Sequence, residues 1–263
     1  MAELQTIHPN AFTTDTGTLK GMIFAAGLGT RFKPWTDHHP KALAVVNGKP
    51  LLQHNVEYLL KYGIHDIVVN VHHFADQIEE AIKKNNGWGA SITISDEREQ
   101  VLETGGGLKK AEPFLKNSSF VIINVDILTD MDLGAMIHQH RQLKPLATLA
   151  VSDRSTSRYF LFDHLNDLCG WRNTSTGEER LSRTTVDKVQ KAFSGIHIIE
   201  PGIFSLITET GKFSMVEIYL RLAASEIIKS FDHTGSKFVD VGKPESVQQA
   251  EALFQNSGDA VKS

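Results

Sequence analysis

The chain has 263 residues, of which 41% are hydrophobic and 22% charged, as expected for a soluble globular protein with one large α/β domain or one domain and a small lobe. Its formal net charge of −4 argues against a nucleic-acid partner held mainly by phosphate neutralisation, but it is compatible with a local basic site for a small phosphorylated ligand. Cys169 is the only cysteine, which excludes an intrachain disulfide.

The amino-terminal stretch, residues 1–18, is polar and mixed, and we expect it to form an extension outside the fold. It has neither the basic start nor the apolar core of a secretory signal. No apolar run approaches the ~20 residues that a membrane-spanning helix needs, so we expect no membrane partner. A single cysteine gives no sign of an oxidising compartment, and we expect a cytoplasmic protein.

Residues 19–255 are expected to form one domain, because strand-like and helix-like patterns alternate along them. Strands are predicted at Lys20–Phe24, Ile67–Val71, Ser91–Ser95, Phe120–Val125 and Ala147–Val151. Helices are predicted before Gly63, at Ala75–Lys84 and at Asp132–Gln142. This succession of βα units predicts an α/β fold in three layers, with a mostly parallel or mixed sheet flanked by helices. Ligands of such a sheet bind at the carboxyl ends of its strands.

The pattern changes over residues 158–183, where polar and turn-forming residues dominate. We interpret this segment as a hairpin excursion that forms a lid or a wall beside a bound ligand. After it we predict a return to the core at Phe193–Ile199, a helix at Met215–Ser230, a strand at Lys237–Val241 and a last helix at Pro244–Phe254. Residues 256–263 are expected to be a flexible tail.

The most informative segment is the loop after the first strand, Ala25-Ala26-Gly27-Leu28-Gly29-Thr30-Arg31-Phe32-Lys33-Pro34, which is followed by Pro40-Lys41. Its two glycines allow a sharp turn and leave room for a bulky group to approach the backbone amides. Arg31 and Lys41 add positive charge, and the proline before Lys41 holds the backbone extended. We therefore predict that this loop binds a polyphosphate.

Two other glycine-rich motifs are excluded by spacing. A Walker loop needs Gly-x-x-x-x-Gly-Lys-[Ser/Thr], and no such lysine follows Gly27 or Gly29. A dinucleotide fingerprint needs a third glycine or alanine where this chain has Phe32, which argues against a dinucleotide-dependent oxidoreductase.

The loop resembles the signature of the sugar-1-phosphate nucleotidyltransferases, A-A-G-x-G-T-R-[LFM]-x-P-x-T with a downstream P-K. The resemblance covers nearly the whole chain, from Lys20 to Phe254. Glu103-Thr104-Gly105-Gly106-Gly107, Phe193-Ser194-Gly195-Ile196 and Val239-Asp240-Val241-Gly242 are most similar to the small bacterial N-acetylmuramate α-1-phosphate uridylyltransferases. The resemblance implies a Rossmann-like fold, nucleotide-sugar biosynthesis in peptidoglycan recycling, and binding of the triphosphate before the sugar.

The reaction of that family requires positioning and charge neutralisation rather than a general base. An oxygen of a sugar 1-phosphate, already anionic because the second pKa of a phosphomonoester is about 6, attacks the α-phosphorus of the triphosphate. Mg²⁺ prefers carboxylate, phosphate and water oxygens. Asp126 and Asp240 each close an apolar strand and are the predicted pair of Mg²⁺ ligands, although an aspartate there also serves as a turn former or helix cap.

The resemblance also assigns the binding residues. It implies base contacts from Ala25, Ala26, Gly27, Thr104 and Gly105, and triphosphate contacts from Gly29, Thr30, Arg31 and Lys41. Glu103 and Asn124 belong to the same segments and are counted among the binding residues, and Arg31, Lys41 and Asp126 are assigned to catalysis. Gly195 is either a bulge or close-packing glycine, or a place where a sugar ring lies against the backbone.

The leading interpretation is a Mg²⁺-dependent enzyme that transfers a nucleotidyl group, from UTP, to N-acetylmuramate 1-phosphate or a related sugar phosphate. Guanylyl or thymidylyl transfer to mannose, heptose or glucose 1-phosphate is the alternative. A nucleotide-sugar sensor without catalysis is a third hypothesis, which the presence of Arg31, Lys41, Asp126 and Asp240 disfavours. No nucleic-acid partner is expected.

Overall fold

The computed structural model describes residues 19–255, so the predicted extension at 1–18 and the predicted tail at 256–263 lie outside the described residues. Within this range the strands are Lys20–Phe24 (β1), Val45–Val46 (β2), Lys49–Pro50 (β3), Asp66–Val71 (β4), Ser91–Asp96 (β5), Phe120–Asn124 (β6), Ile127–Thr129 (β7), Ala147–Ser152 (β8), Arg158–Phe162 (β9), Leu168–Asn173 (β10), Glu178–Leu181 (β11), Val189–Ile199 (β12), Ile228–Asp232 (β13) and Phe238–Asp240 (β14). The helices are Leu51–Lys61 (α1), Ala75–Lys84 (α2), Glu103–Lys110 (α3), Glu112–Leu115 (α4), Leu133–Leu143 (α5), Ile203–Leu206 (α6), Met215–Leu222 (α7) and Glu245–Leu253 (α8).

The main sheet is mixed. Strands β6, β1, β4 and β5 lie side by side in parallel. Strand β12 runs antiparallel to β6, and through β9 it leads to the antiparallel strands β10 and β11. Strand β8 pairs with β12 and, in parallel, with β13. The predicted α/β fold, with a mostly parallel or mixed sheet flanked by helices, is confirmed.

The sheet is buried on both faces, which gives the fold its three layers. On β1, Ile23 packs in one hydrophobic cluster with helices α1, α2, α5 and α8, while Met22 packs in another with α3, α4, α6 and α7. Successive side chains of a strand point to opposite faces, and both of these are fully buried. This is why the central strands are continuous apolar runs in the sequence.

The helix predicted at Met215–Ser230 is wrong in its second half. Helix α7 ends at Leu222, a turn follows, and the next residues form β13 beside β8. Ile228 and Ser230 are buried while the residues between and after them are less so, which is the alternation of a strand. Pairing with β8 satisfies the backbone groups of this segment through a long-range contact that local periodicity does not reveal.

Residues 158–183 form strands β9, β10 and β11 and their turns, and the segment joins the main sheet through the pairing of β9 with β12. Two arginines tie it to helix α7 and the turn that follows. Arg180 forms a bidentate pair with Glu217 at 2.8 and 2.6 Å, and Arg183 Nε donates a hydrogen bond to the carbonyl oxygen of Ala223 at 2.8 Å.

Parallel pairing brings the carboxyl ends of β1, β4, β5 and β6 to the same edge of the sheet. Phe24, the last residue of β1, lies between Asn70 of β4 and Asn124 of β6. The glycine-rich loop therefore emerges beside the segment that contains Asp126.

Candidate active site

The glycine-rich loop forms a tight turn at Gly29. This residue has φ +60°, and a Cβ atom added there would lie 2.8 Å from Cγ2 of Thr36. The Thr36 hydroxyl donates a hydrogen bond to the carbonyl oxygen of Gly29 at 2.9 Å, and the amide of Phe32 donates to the same oxygen at 2.7 Å. The position therefore requires a glycine for both its conformation and its packing.

A cleft of about 330 Å³ opens where this loop meets the carboxyl ends of the parallel strands. Its walls contain eleven of the residues assigned from the sequence: Ala25, Ala26, Gly27, Gly29, Thr30, Arg31, Lys41, Glu103, Thr104, Asn124 and Asp126. The sequence did not predict six other wall residues: Phe24, Asn70, Glu97, Val101, Val125 and Gly242. Gly105, Gly195 and Asp240 were assigned from the sequence but do not line this cleft.

Lys41 and Asp126, which both line the cleft, form an ion pair. Strand β14 pairs antiparallel with β7, and the amide of Val241 donates a hydrogen bond of 2.8 Å to the carbonyl oxygen of Asp126. This short ribbon is what brings Asp240, more than a hundred residues away in sequence, beside Asp126. The two predicted metal ligands therefore share one locality although only Asp126 lines the cleft.

The pKa of the Asp240 carboxyl is shifted by its partial burial and by the charged side chains around it. Part of the residue remains exposed, yet desolvation of its carboxyl raises its pKa, and the Asp126 carboxylate raises that pKa further. The cations Lys41, Arg31 and Arg154 act in the opposite direction. One further carboxylate and three cations thus lie within electrostatic reach of Asp240.

The donor set fits a divalent cation. Two nearby carboxylates repel each other, and a cation between them would remove the repulsion that raises the pKa of Asp240. Residues 19–255 contain no group of three or more His, Cys, Asp and Glu side chains placed to hold a metal. The remaining ligands of an ion held by Asp126 and Asp240 would be water and phosphate oxygens, which suits Mg²⁺.

Because Gly242 has no side chain, it leaves room for the side chains of Arg31 and Asp240. A Cβ atom at this position would lie 2.8 Å from Oδ1 of Asp240 and 3.2 Å from Nη2 of Arg31. The missing side chain therefore allows a guanidinium from the glycine-rich loop and a carboxylate from β14 to approach the same point of the backbone.

A buried polar network supports the opposite wall of the cleft. The amide of Ala25 donates a hydrogen bond to Oδ1 of Asn70 at 2.7 Å, and Nδ2 of Asn70 donates to Oε1 of Glu97 at 2.8 Å. Both side chains are almost fully buried, and burial raises the pKa of Glu97. Sequence reasoning missed this pair. The available signal was a polar residue inside the otherwise apolar run of β4, beside the glycine-rich loop.

The three consecutive glycines allow helix α3 to pack closely, and Gly105 does not face the cleft. The amides of Gly105 and Gly106 donate hydrogen bonds to the carbonyl oxygen of Phe213 at 2.9 and 3.2 Å. A Cβ atom at Gly105 would lie 2.3 Å from the Phe213 ring. The backbone donor expected to read a nucleobase is thus already used within the protein.

Gly195 is placed behind the cleft wall. It has φ +72° at an irregularity in the pairing of β12 with β8, and a Cβ atom there would lie 2.8 Å from Nδ2 of Asn124. It is buried, so of the two interpretations of this glycine the structure favours the bulge that lets Asn124 reach the cleft.

No helix within residues 19–255 combines the length and the apolarity needed to cross a bilayer. Cys169 is buried, and its thiol donates to the carbonyl oxygen of Leu161 at 3.3 Å.

Comparisons with known proteins point to one family. The nucleotidyl transferase family model matches residues 20–164. The chain is 32% identical to an N-acetylmuramate alpha-1-phosphate uridylyltransferase of Caulobacter vibrioides over 240 residues, which cover 88% of this chain and 95% of the relative. It is 30% identical to a mannose-1-phosphate guanyltransferase of Yarrowia lipolytica, over 91% of this chain and 65% of the relative.

Solved structures share the fold at lower identity. A putative glucose-1-phosphate thymidylyltransferase from Bacillus anthracis superimposes with a TM-score of 0.73 at 21% identity, over 89% of this chain and 94% of that one.

Proposed function

The chain belongs to the nucleotidyl transferase family, and from this premise we propose that it transfers a uridylyl group from UTP to N-acetylmuramate 1-phosphate, with release of pyrophosphate. The reaction class, nucleotidyl transfer to a sugar 1-phosphate, is that of its relatives. The observation that carries the proposal is the meeting of the glycine-rich loop, the Lys41–Asp126 pair and Asp240 at one edge of the sheet.

The arrangement matches what the chemistry requires. An anionic oxygen of the sugar phosphate forms a bond to the α-phosphorus, the α–β bridging bond breaks, and its electron pair leaves with pyrophosphate. Several negative charges must converge in line, and no residue has to remove a proton. Open backbone at Gly27 and the cations Arg31 and Lys41 line the side of the cleft where we place the triphosphate.

The base is proposed to lie between Ala25–Gly27 and the start of α3 at Glu103 and Thr104, which all line the cleft. Asp126 and Asp240 would hold Mg²⁺. When bound, the ion would supply charge neutralisation for the phosphates, while Lys41 holds the Asp126 carboxylate in place.

The choice of uridylyl transfer follows the Caulobacter relative, which this chain covers almost completely. A uridylyltransferase acting on this sugar would serve peptidoglycan recycling, and its UTP supply would place it in the cytoplasm. Guanylyl transfer is the second candidate. It is favoured by the Yarrowia relative, a guanyltransferase that is 30% identical over 91% of this chain.

The test is a matrix of pyrophosphate-release assays with Mg²⁺. UTP, GTP, CTP, dTTP and ATP are each combined with the 1-phosphates of N-acetylmuramate, N-acetylglucosamine, glucose and mannose. We expect the highest kcat/KM for UTP with N-acetylmuramate 1-phosphate. A different preferred pair would reject this substrate assignment within the same reaction class. No turnover by folded protein that still binds a nucleotide would favour the sensor hypothesis.

A further inference from the structure

Arg154 is an arginine whose charge has no ion-pair partner among the residues that the structure describes. It lies two residues beyond the end of β8 and is half-buried. Its Nη2 donates one hydrogen bond, of 2.5 Å, to the carbonyl oxygen of Phe193. Its Nε is buried without a hydrogen-bond partner, and no ion pair joins it to a carboxylate in residues 19–255. A partly buried guanidinium without an ion-pair partner loses hydration without full compensation.

The guanidinium lies on the same side of β14 as the candidate metal ligand Asp240. Its central carbon is 5.0 Å from the centroid of the Phe238 ring. Residues two apart on a strand point to the same face, so Phe238 and Asp240 share a face of β14. Burial lowers the pKa of Arg154, and the nearby Asp240 carboxylate opposes that shift.

A second unpartnered group borders the same ring. The His233 ring centroid is 5.8 Å from that of Phe238, and its Nδ1 is buried without a hydrogen-bond partner. Its Nε2 is 2.7 Å from the Ser194 hydroxyl, and in the tautomer in which Nε2 accepts the hydroxyl proton, Nδ1 carries the ring proton and can donate it. Two nitrogens that can donate therefore flank Phe238, next to Asp240.

The other two cations beside Asp240 come from a different part of the chain. Arg31 lies in the glycine-rich loop and Lys41 lies shortly after it, on the side where we place the triphosphate. In an in-line displacement the attacking oxygen approaches from the side opposite the leaving pyrophosphate. Arg154 enters from the end of β8, and among the cations that act on Asp240 it is the one outside the 25–41 segment.

We propose that Arg154 binds the phosphate of the acceptor sugar 1-phosphate and positions its oxygen for attack on the α-phosphorus. This rests on the proposed function. The bond that forms joins the acceptor oxygen to the α-phosphorus, and the α–β bridging bond breaks as before. Arg154 keeps its proton throughout. A guanidinium suits the role because it is weakly hydrated and presents donors in a fork that matches phosphate.

The test compares Arg154→Gln and Arg154→Lys with the wild type, using Arg221→Gln as the matched control. Arg221 is an exposed arginine paired with Glu209, away from the cleft. We expect Arg154→Gln to lower kcat/KM for the sugar 1-phosphate about 10- to 100-fold, the loss expected for charged hydrogen bonds. Arg154→Lys, which retains the charge without the fork, should fall between. The Kd for UTP alone and the melting temperature should change little in either variant.

Equal losses in UTP affinity and in kcat/KM for the sugar, or a kcat/KM within twofold of wild type, would overturn the proposal. If Arg154→Gln does not fold, Arg154→Lys decides by the same comparison. Calorimetric titration of glucose 1-phosphate and N-acetylmuramate 1-phosphate into wild type and variants, each saturated with Mg²⁺ and a UTP analogue that cannot react, separates this inference from the proposed function. A wild type that binds a sugar phosphate through Arg154 without turnover would reject the proposed function alone. A wild type that binds neither would reject the inference.

Discussion

Asp126 and Asp240 illustrate how single residues acquire a role from their surroundings. Each closes an apolar strand, and each alone would pass for a turn former. Desolvation raises the pKa of Asp240, the neighbouring Asp126 carboxylate raises it further, and the ion pair with Lys41 fixes the orientation of Asp126. Two carboxylates in one place, surrounded by cations, favour a site for phosphate chemistry over a pair of surface turns.

Substituting either aspartate by asparagine should stop turnover without unfolding the protein, because the shape is kept and one negative charge is lost. We expect kcat to fall by about 10²- to 10³-fold or more in Asp126→Asn and in Asp240→Asn, measured with saturating Mg²⁺. Asp66→Asn, an exposed aspartate at the opposite end of β4, is the control and should retain wild-type kcat. Turnover near the wild-type rate in both site variants would remove the metal assignment.

Gly242→Ala should lower activity by displacing two charged groups at once. The added methyl would contact Oδ1 of Asp240 and Nη2 of Arg31, and a displacement of about 1 Å at a catalytic group can lower the rate by about 10²-fold. We expect kcat/KM to fall at least tenfold while the melting temperature stays within a few degrees.

The matched control is Gly202→Ala. Gly202 has helical φ and ψ angles of −54° and −21°, and an added Cβ would meet no atom within 4 Å. Full activity in both variants would show that Arg31 and Asp240 adjust without consequence.

Helix α3 shows that an element can depend on residues that disfavour its own secondary structure. Gly105, Gly106 and Gly107 are poor helix formers, each worse than alanine by about 1 kcal/mol. They occur in a row because the helix packs against the 211–213 segment on one side and against Glu97 on the other. The packing places Glu103 and Thr104 at the cleft wall.

Gly106→Ala should therefore destabilise the protein despite the higher helix propensity of alanine. The new methyl would lie 2.3 Å from the carbonyl oxygen of Gly211 and 2.9 Å from Cβ of Leu102. Overpacking of this kind typically costs about 1–3 kcal/mol, which would lower the melting temperature by several degrees. Thermal unfolding followed by circular dichroism measures it, with Gly202→Ala as the control. An unchanged or higher melting temperature would contradict the packing explanation.

At the scale of the whole molecule, stability depends on a sheet covered on both faces. His197 of β12 lies fully buried in the sheet, with its Nδ1 2.6 Å from the Tyr219 hydroxyl of α7. Burial lowers the pKa of His197 to about 3. The contact between His197 and Tyr219 joins the central sheet to helix α7, which covers it. Because the imidazole ring titrates, it also makes the free energy of unfolding depend on pH.

His197 should make the protein less stable in acid. Above about pH 6.5 the ring is neutral in both the folded and the unfolded state, so it adds no pH dependence. Between about pH 6.5 and 3 only the unfolded state binds the proton, and the free energy of unfolding falls by up to about 1.4 kcal/mol for each unit that the pH is lowered. His233, whose pKa burial also lowers, acts in the same direction.

Urea unfolding from pH 7.5 to pH 4.5 tests this in wild type and His197→Gln. The loss of stability per pH unit between pH 6 and 4.5 should be smaller in the variant by about 1 kcal/mol, whatever its stability at pH 7.5. The same slope in both proteins would show that His197 does not govern the acid response.

Local sequence information predicted much of the architecture, because buried strands and helix caps produce short, recognisable residue patterns. The apolar runs of β1, β4 and β6 match strands buried on both faces, and Asp132 caps α5 by accepting a hydrogen bond from the amide of Ala135 at 3.1 Å. The second half of the predicted helix at Met215–Ser230 failed because pairing with β8 decides that segment.

The sequence by itself determined the α/β fold, the family and the glycine-rich loop, since these depend on residues close together in the chain. Only the tertiary structure decided which distant residues meet. The β7–β14 ribbon brings Asp240 to Asp126, and parallel pairing brings Asn70 beside Ala25. The structure also turned Gly105 away from the cleft and placed Arg154 beside Phe238. These outcomes depend on strand register and on packing between elements far apart in the chain, for which a linear pattern of residues contains no local signal.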